Sequence, residues 1–128
     1  MSQVYGYLLH LLTGFALLAV FFWVYTKVTP FHEIGLIRQG NTAAALSLAG
    51  AIIGFCLTVA GSILLSSTFA MFLVWGFGAM TAQLLTYMAV TRVLPQMNAA
   101  ISENNTAMGA LMGTTSLVVG IINAACLS

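Results

Sequence analysis

Four long apolar stretches alternate with short polar passages along the chain, at roughly Tyr5–Tyr25, Ala43–Leu65, Phe69–Ala89 and Ala107–Ala125. Each is close to or above the roughly 20 residues that cross a bilayer as a helix. The pattern predicts four membrane-spanning helices and almost nothing else. No basic residue precedes the first stretch, and it is longer than the apolar core of a signal peptide, so a retained helix is expected there.

The polar passages are related to each other. Thr26-Lys27-Val28-Thr29-Pro30 matches Thr91-Arg92-Val93-Leu94-Pro95, and Asn41-Thr42-Ala43 matches Asn105-Thr106-Ala107. Both halves read as apolar helix, basic residue, proline, polar loop, Asn-Thr-Ala, apolar helix. The expected fold class is therefore an all-α membrane protein whose four transmembrane helices form two parallel tandem two-helix repeats, residues 1–65 and 66–128. Two crossings per unit return the chain to its starting side, which makes the units parallel rather than inverted.

Local chemistry supports these boundaries. Pro30 and Pro95 follow the basic ends of the odd-numbered helices and stop them. Asn41-Thr42 and Asn105-Thr106 suit helix starts, where a side-chain oxygen satisfies an otherwise unpaired N–H. Phe31, Ile34 and Ile37 share one side of a helical turn, which predicts a segment lying along the membrane interface.

Composition narrows the class further. Hydrophobic residues make up 61% of the chain and charged residues 4%, against about 25% charged in soluble domains. Lys27, Glu33, Arg38, Arg92 and Glu103 all lie in or beside the two repeated loops, and the Ser66-Ser67-Thr68 link carries no charge. The positive-inside rule then places loops 26–42 and 90–106 in the cytoplasm and both termini in the periplasm. Tyr5 and Tyr7 fit the outer interface, and Trp23 and Tyr25 the inner one.

Small residues point to the packing. The second span carries Gly50, Gly54 and Gly61, and the fourth Gly109, Gly113 and Gly120, in seams that allow close backbone approach. Spans two and four are expected at the centre, with the bulkier one and three flanking them. Aligned on the asparagines, however, Gly109 falls opposite Ala45 and Gly113 opposite Ala49. Either the pseudo-symmetry is imperfect or one seam serves an oligomer contact.

Candidate chemistry is sparse. No Asp, Glu, Lys or Arg sits firmly within a span, which weighs against proton-coupled transport. His10 either reaches the outer interface, hydrogen-bonds a neighbour, or meets Asn123, at similar depth in the fourth span, within an outward cavity. Gln83, Thr114 and Thr115 either join helices, through hydrogen bonds worth about 0.6 kcal/mol each, or line a path for a small solute. Cys56 and Cys126 lie at different depths and are not expected to pair. No ligand spacing for a metal, no phosphate-cradling loop, no nucleophile with an adjacent base and no nucleic-acid surface is present. No cofactor and no enzymatic activity are expected.

The sequence of TP, a polar loop, GNTAAALSLAG and a second NTA before GTTSLVVGIINAAC resembles the bacterial inner-membrane family named domain of unknown function 350, of the YjfL type. The likeness spans about residues 5–128 and rests on Pro30, Asn41, Thr42, Ala43, Asn105, Thr106 and Ala107. It implies two-helix units in tandem. Family genes often neighbour those of phage-shock-type stress proteins, which implies a role in envelope maintenance, and no catalytic residues carry over. Two functions stay open. One is a structural or interaction module whose loops dock cytosolic or membrane partners. The other is an oligomeric channel or facilitator. Four helices enclose little volume, so the bilayer and further copies of the chain are the expected partners.

Overall fold

The computed structural model describes residues 2–127; residues 1 and 128, the outer ends of the two repeats read from the sequence, lie outside the described residues. Among the described residues six helices follow in order: α1 (Ser2–Val28), α2 (Glu33–Arg38), α3 (Thr42–Leu65), α4 (Phe69–Val93), α5 (Met97–Ser102) and α6 (Thr106–Ala125). The four long ones, α1, α3, α4 and α6, are each long and apolar enough to cross a membrane.

α1 and α4 run further than hydropathy alone suggests. They continue through Lys27 and Arg92 to Val28 and Val93. A basic side chain in the last turn complements the negative end of the helix dipole, so charge extends these helices rather than ending them. Termination follows at Pro30 and Pro95, because a proline disfavours helical geometry in the residue before it. Between α3 and α4 the link is tight, and Thr68 caps α4 by accepting from the Met71 amide at 3.2 Å.

α3 is the centre of the fold. It borders α1, α4 and α6, and its contact with α6 is the most extensive in the molecule. That contact advances in step from Ala43–Gly109 through Gly50–Gly113 and Gly54–Gly120 to Gly61–Ala124, so the two helices run in the same direction. α4 packs against both, while α1 only borders α3 and α4. Spans two and four thus form the closest pair, as their glycine seams lead one to expect, with α3 the more enclosed of the two. α6 buries its glycine face alone, and its opposite face is open. An aromatic column ties α1 to α3 and α4: Phe21 stacks on Phe55 at 4.4 Å, and Tyr25 meets Tyr87 edge-on at 5.7 Å.

Tyr25 differs from Trp23 in its surroundings. Trp23 is 62% exposed, as an interfacial aromatic should be, but Tyr25 is 1% exposed. Two residues correspond to about 200° around a helix, so the pair could not share one environment.

Candidate functional site

The polar groups of the molecule gather where the two loops meet. Each loop contains a six-residue helix, α2 or α5, that stops in the same way. After α2, Gly40 takes φ 86°, its amide donating to the Ile37 carbonyl and that of Asn41 to Leu36. After α5, Asn104 takes φ 62°, its amide donating to Ile101 and that of Asn105 to Ala100. This pair of bonds closes a helix through one left-handed residue, a conformation open to glycine and, next most readily, asparagine. The following asparagine then starts the next long helix. Asn41 Oδ1 accepts from the Ala44 amide at 2.8 Å, and Asn105 Oδ1 from Met108 at 3.2 Å.

The loops also hold each other. Asn41 Nδ2 donates to the Ile101 carbonyl at 2.8 Å and to Ser102 at 3.3 Å, while the Ala43 amide donates to Asn104 Oδ1 at 3.1 Å. Asn41 is buried by this engagement; Asn105, its counterpart, is exposed. Met97 and Ile101 lie fully buried on one face of α5 beneath the junction.

A carboxyl is sealed under the first loop. Glu33 is 3% exposed and accepts a short hydrogen bond from the Thr29 hydroxyl. Burial pushes its carboxyl above the usual range, against the opposing pull of the Thr29 hydroxyl and its own backbone amide. Tyr25 and Tyr87 stand near enough to feel its charge. Tyr87 donates to Asn98 Oδ1. The Tyr25 hydroxyl faces Ser47 but makes no hydrogen bond of ordinary geometry.

Outward from this cluster lie the exposed residues of the loops: Lys27, Pro30, Arg38, Thr42, Arg92, Pro95 and Thr106. Lys27 lies over the Trp23 ring at 5.9 Å. Arg38 ends α2 and Arg92 lies in the last turn of α4, and both are exposed.

Deeper in the molecule, the two glycine seams face one another within the chain. A Cβ on Gly50 would overlap the backbone of Gly113, one on Gly109 the backbone of Ala43, one on Gly113 the Leu46 carbonyl, and one on Gly120 the backbone of Gly54. Gly61 is looser, with Ala124 and Leu127 at ordinary contact distance. Thr58 donates to the Gly120 carbonyl at 3.1 Å, and Gln83 Nε2 to the Ser116 carbonyl at 3.0 Å. Gln83 Oε1 and Ser116 Oγ are buried without a hydrogen-bond partner.

The other intramembrane polar residues are scattered. His10 Nδ1 hydrogen-bonds the Gly6 carbonyl at 2.8 Å, and its ring lies against Phe69 and Phe72 of α4; it turns to α4 rather than to the half-buried Asn123 of α6. Thr114 is exposed, and the Thr115 hydroxyl donates back to Leu111 at 2.8 Å. Cys56 and Cys126 are free. Among the described residues, no group of three His, Cys, Asp or Glu side chains stands close enough to hold a metal ion.

The family model described as Domain of Unknown Function (DUF350) matches residues 1–127. The chain belongs to this family. It is 35% identical over 115 residues to the UPF0719 inner membrane protein YjfL of Escherichia coli strain K12, covering 90% of this chain and 87% of that protein. The protein of the same name from Escherichia coli O157:H7 is equally similar. No solved structure matches. The chain is thus a multi-pass protein of a bacterial inner membrane in the DUF350 family.

Several residues of this DUF350 junction escape a reading of the sequence. Glu33 looks like a solvated loop charge, and only the tertiary fold shows it sealed. Tyr87, Asn98, Met97 and Ile101 belong to a six-residue helix and its seat, too short for periodicity to reveal. Asn104 had a legible signal: it stands 64 residues after Gly40, where only a residue tolerant of positive φ fits.

Proposed function

We propose that this DUF350 protein is a structural and interaction module of the inner membrane, acting in envelope maintenance or a membrane-stress system. In this reading residues 1–65 and 66–128 are parallel tandem units. Their loops, 26–42 and 90–106, face the cytoplasm as one docking surface, and the termini face the periplasm. The chain assembles with further copies of itself.

The mutual lock between the loops carries the reading. Asn41 and Asn104 tie the start of α3 to the end of α5, joining the loop that carries Arg38 to the loop that carries Arg92. A rigid surface pays little ordering entropy when a partner docks. The same stop-and-start geometry in both loops, 64 residues apart, supports the tandem reading.

The facilitator reading draws less support. Gln83 is wedged against Gly54 and Ser116, Thr115 is folded back on its own helix, and the α3 and α6 backbones touch along the line a path would follow.

A photo-crosslinking residue placed at Arg38 or at Arg92 in intact cells tests the proposal. The expected result is one discrete partner adduct shared by both positions. Adducts with lipid alone, or labelling of the two loops from opposite sides of the membrane, would end it.

A further inference from the structure

The internal contact is made by unlike faces of like units. Asn41 corresponds to Asn105 at a spacing of 64. On α3 the face turned to α6 holds Ala43, Ser47, Gly50, Gly54 and Thr58, all buried. The same positions on α6 are Ala107, Leu111, Thr114, Val118 and Ile122, and all are exposed. On α6 the face turned to α3 holds Gly109, Gly113, Ser116 and Gly120, all buried. Their counterparts on α3 are Ala45, Ala49, Ile52 and Cys56, none of them buried.

A joint between two different faces is head-to-tail. It uses one face of each unit and leaves the complementary face of each unfilled, here at the two ends of the same chain. The free end on the first unit is a groove. About 200 Å³ of apolar space opens between α1 and α3, lined by Leu11, Gly14, Phe15 and Leu18 on one side and by Cys56 and Ala60 on the other. At the spacing of 65 that relates Pro30 to Pro95, the four α1 residues correspond to Gly76, Ala79, Met80 and Gln83 of α4. All four are buried, and α3 itself lies alongside α4 and α6. The groove is the counterpart of the seat that α3 fills inside the chain.

We infer that a second copy of this chain fills that groove, with the Leu111–Val118–Ile122 face of its α6 seated between α1 and α3. The inference rests on the proposed reading of two like units and specifies how the copies join. Two copies joined this way at both ends form the smallest closed ring, of four two-helix units. The loops extend the joint. Asn41 donates to the carbonyls of Ile101 and Ser102 within the chain; Asn105, exposed here, is the group that donates to those of Ile37 and Arg38 in the second copy. Gly40 has no side chain to return the bond that Asn104 makes to Ala43, so the joint between chains lacks one bond of the joint within.

The correspondence names contact pairs. The internal Gly54–Gly120 approach becomes Val118 of one copy against Cys56 of the next, and Gly50–Gly113 becomes Thr114 against Ala49. The test is oxidative crosslinking in native membranes of Val118→Cys combined with Cys126→Ser. The expected product has twice the chain mass and disappears when Cys56→Ser is added. Leu111→Cys lies on the same stripe about two turns away, and Phe77→Cys on the exposed face of α4; neither should crosslink to Cys56. Thr114→Cys with Ala49→Cys should reproduce the product without Cys56. Val118→Trp, too large for the seat, should shift the mass in lipid nanodiscs to that of one chain.

A single-chain mass for the unmodified protein overturns the inference, the groove then holding lipid. So does a Val118→Cys product that survives Cys56→Ser, which marks a face-to-itself dimer. An oligomeric mass with no Cys56 product overturns the joint alone and leaves self-assembly standing. Labelling of Thr42→Cys and Thr106→Cys from opposite sides of the membrane removes the two-unit reading beneath it.

Discussion

Asn41 begins α3, yet its side chain also closes the end of α5, donating to the Ile101 carbonyl at 2.8 Å from 60 residues away. One residue therefore starts a helix in the first half and finishes one in the second. Its counterpart Asn105 caps α6 alone. Asn41→Ala should then destabilise more than Asn105→Ala. Loss of a cap is worth about 1 kcal/mol, and loss of the buried bond to Ile101 adds roughly 0.5–1.5 kcal/mol. Thermal unfolding in one detergent, compared between the two variants, checks this; equal midpoints would show that the cross-loop bond adds nothing.

The glycine seam makes a steric prediction. Gly50→Ala and Gly120→Ala place a methyl group into opposing backbone, which cannot move aside as a side chain can. Each should lose about 1–3 kcal/mol through overpacking. Gly78→Ala meets only the edge of Trp75 at 4.0 Å and should gain up to about 1 kcal/mol from helix propensity. Opposite signs in one unfolding assay are the expected outcome.

Much of this architecture was legible because the membrane makes sequence strict. A helix must satisfy its own backbone groups in lipid, so long apolar runs marked the spans within a few residues. Lys27 and Arg92 lie in the last turn of helices that run a few residues beyond the apolar stretches. The helix-starting asparagines were readable from local chemistry, which needs only neighbours a few residues away. The lock between loops was not, since Asn41 and Ile101 meet only after the chain has folded. Neither was the sealing of Glu33, because nothing in residues 29–37 shows what covers them. The mismatch of Gly109 with Ala45 was visible from the start, and the structure gives it a reason: unlike faces meet.

Gln83 separates a helix joint from a solute path. Its Nε2 bond to the Ser116 carbonyl is satisfied, but its Oε1 is buried without a partner. Gln83→Leu gives up one membrane hydrogen bond, worth about 0.6 kcal/mol, and removes an unpaired buried carbonyl. Stability should change by less than about 1 kcal/mol. In reconstituted liposomes neither the unmodified protein nor the variant should pass ions or small polar solutes; flux that Gln83→Leu abolishes would restore the facilitator reading.

Glu33 makes the protein's stability depend on pH. Burial holds its carboxyl above the ordinary glutamate value of 4.5, with the Thr29 hydroxyl opposing only in part. The folded chain therefore binds this proton more tightly than the unfolded chain does. Stability from the group is fully present below 4.5 and is lost as pH rises through the raised value, because the charged form is the one that burial penalises. Glu33→Gln keeps the shape and the hydrogen-bonding capacity while removing the titration. The variant should match the unmodified protein in acid, exceed it as pH rises, and show a flatter profile throughout. Unfolding midpoints taken at several pH values from 4 to 8 (roughly the span over which a displaced carboxyl titrates) make the comparison. Parallel profiles would mean that the Glu33 carboxyl has the same affinity for its proton in both states, and that the space under the first loop is open to water.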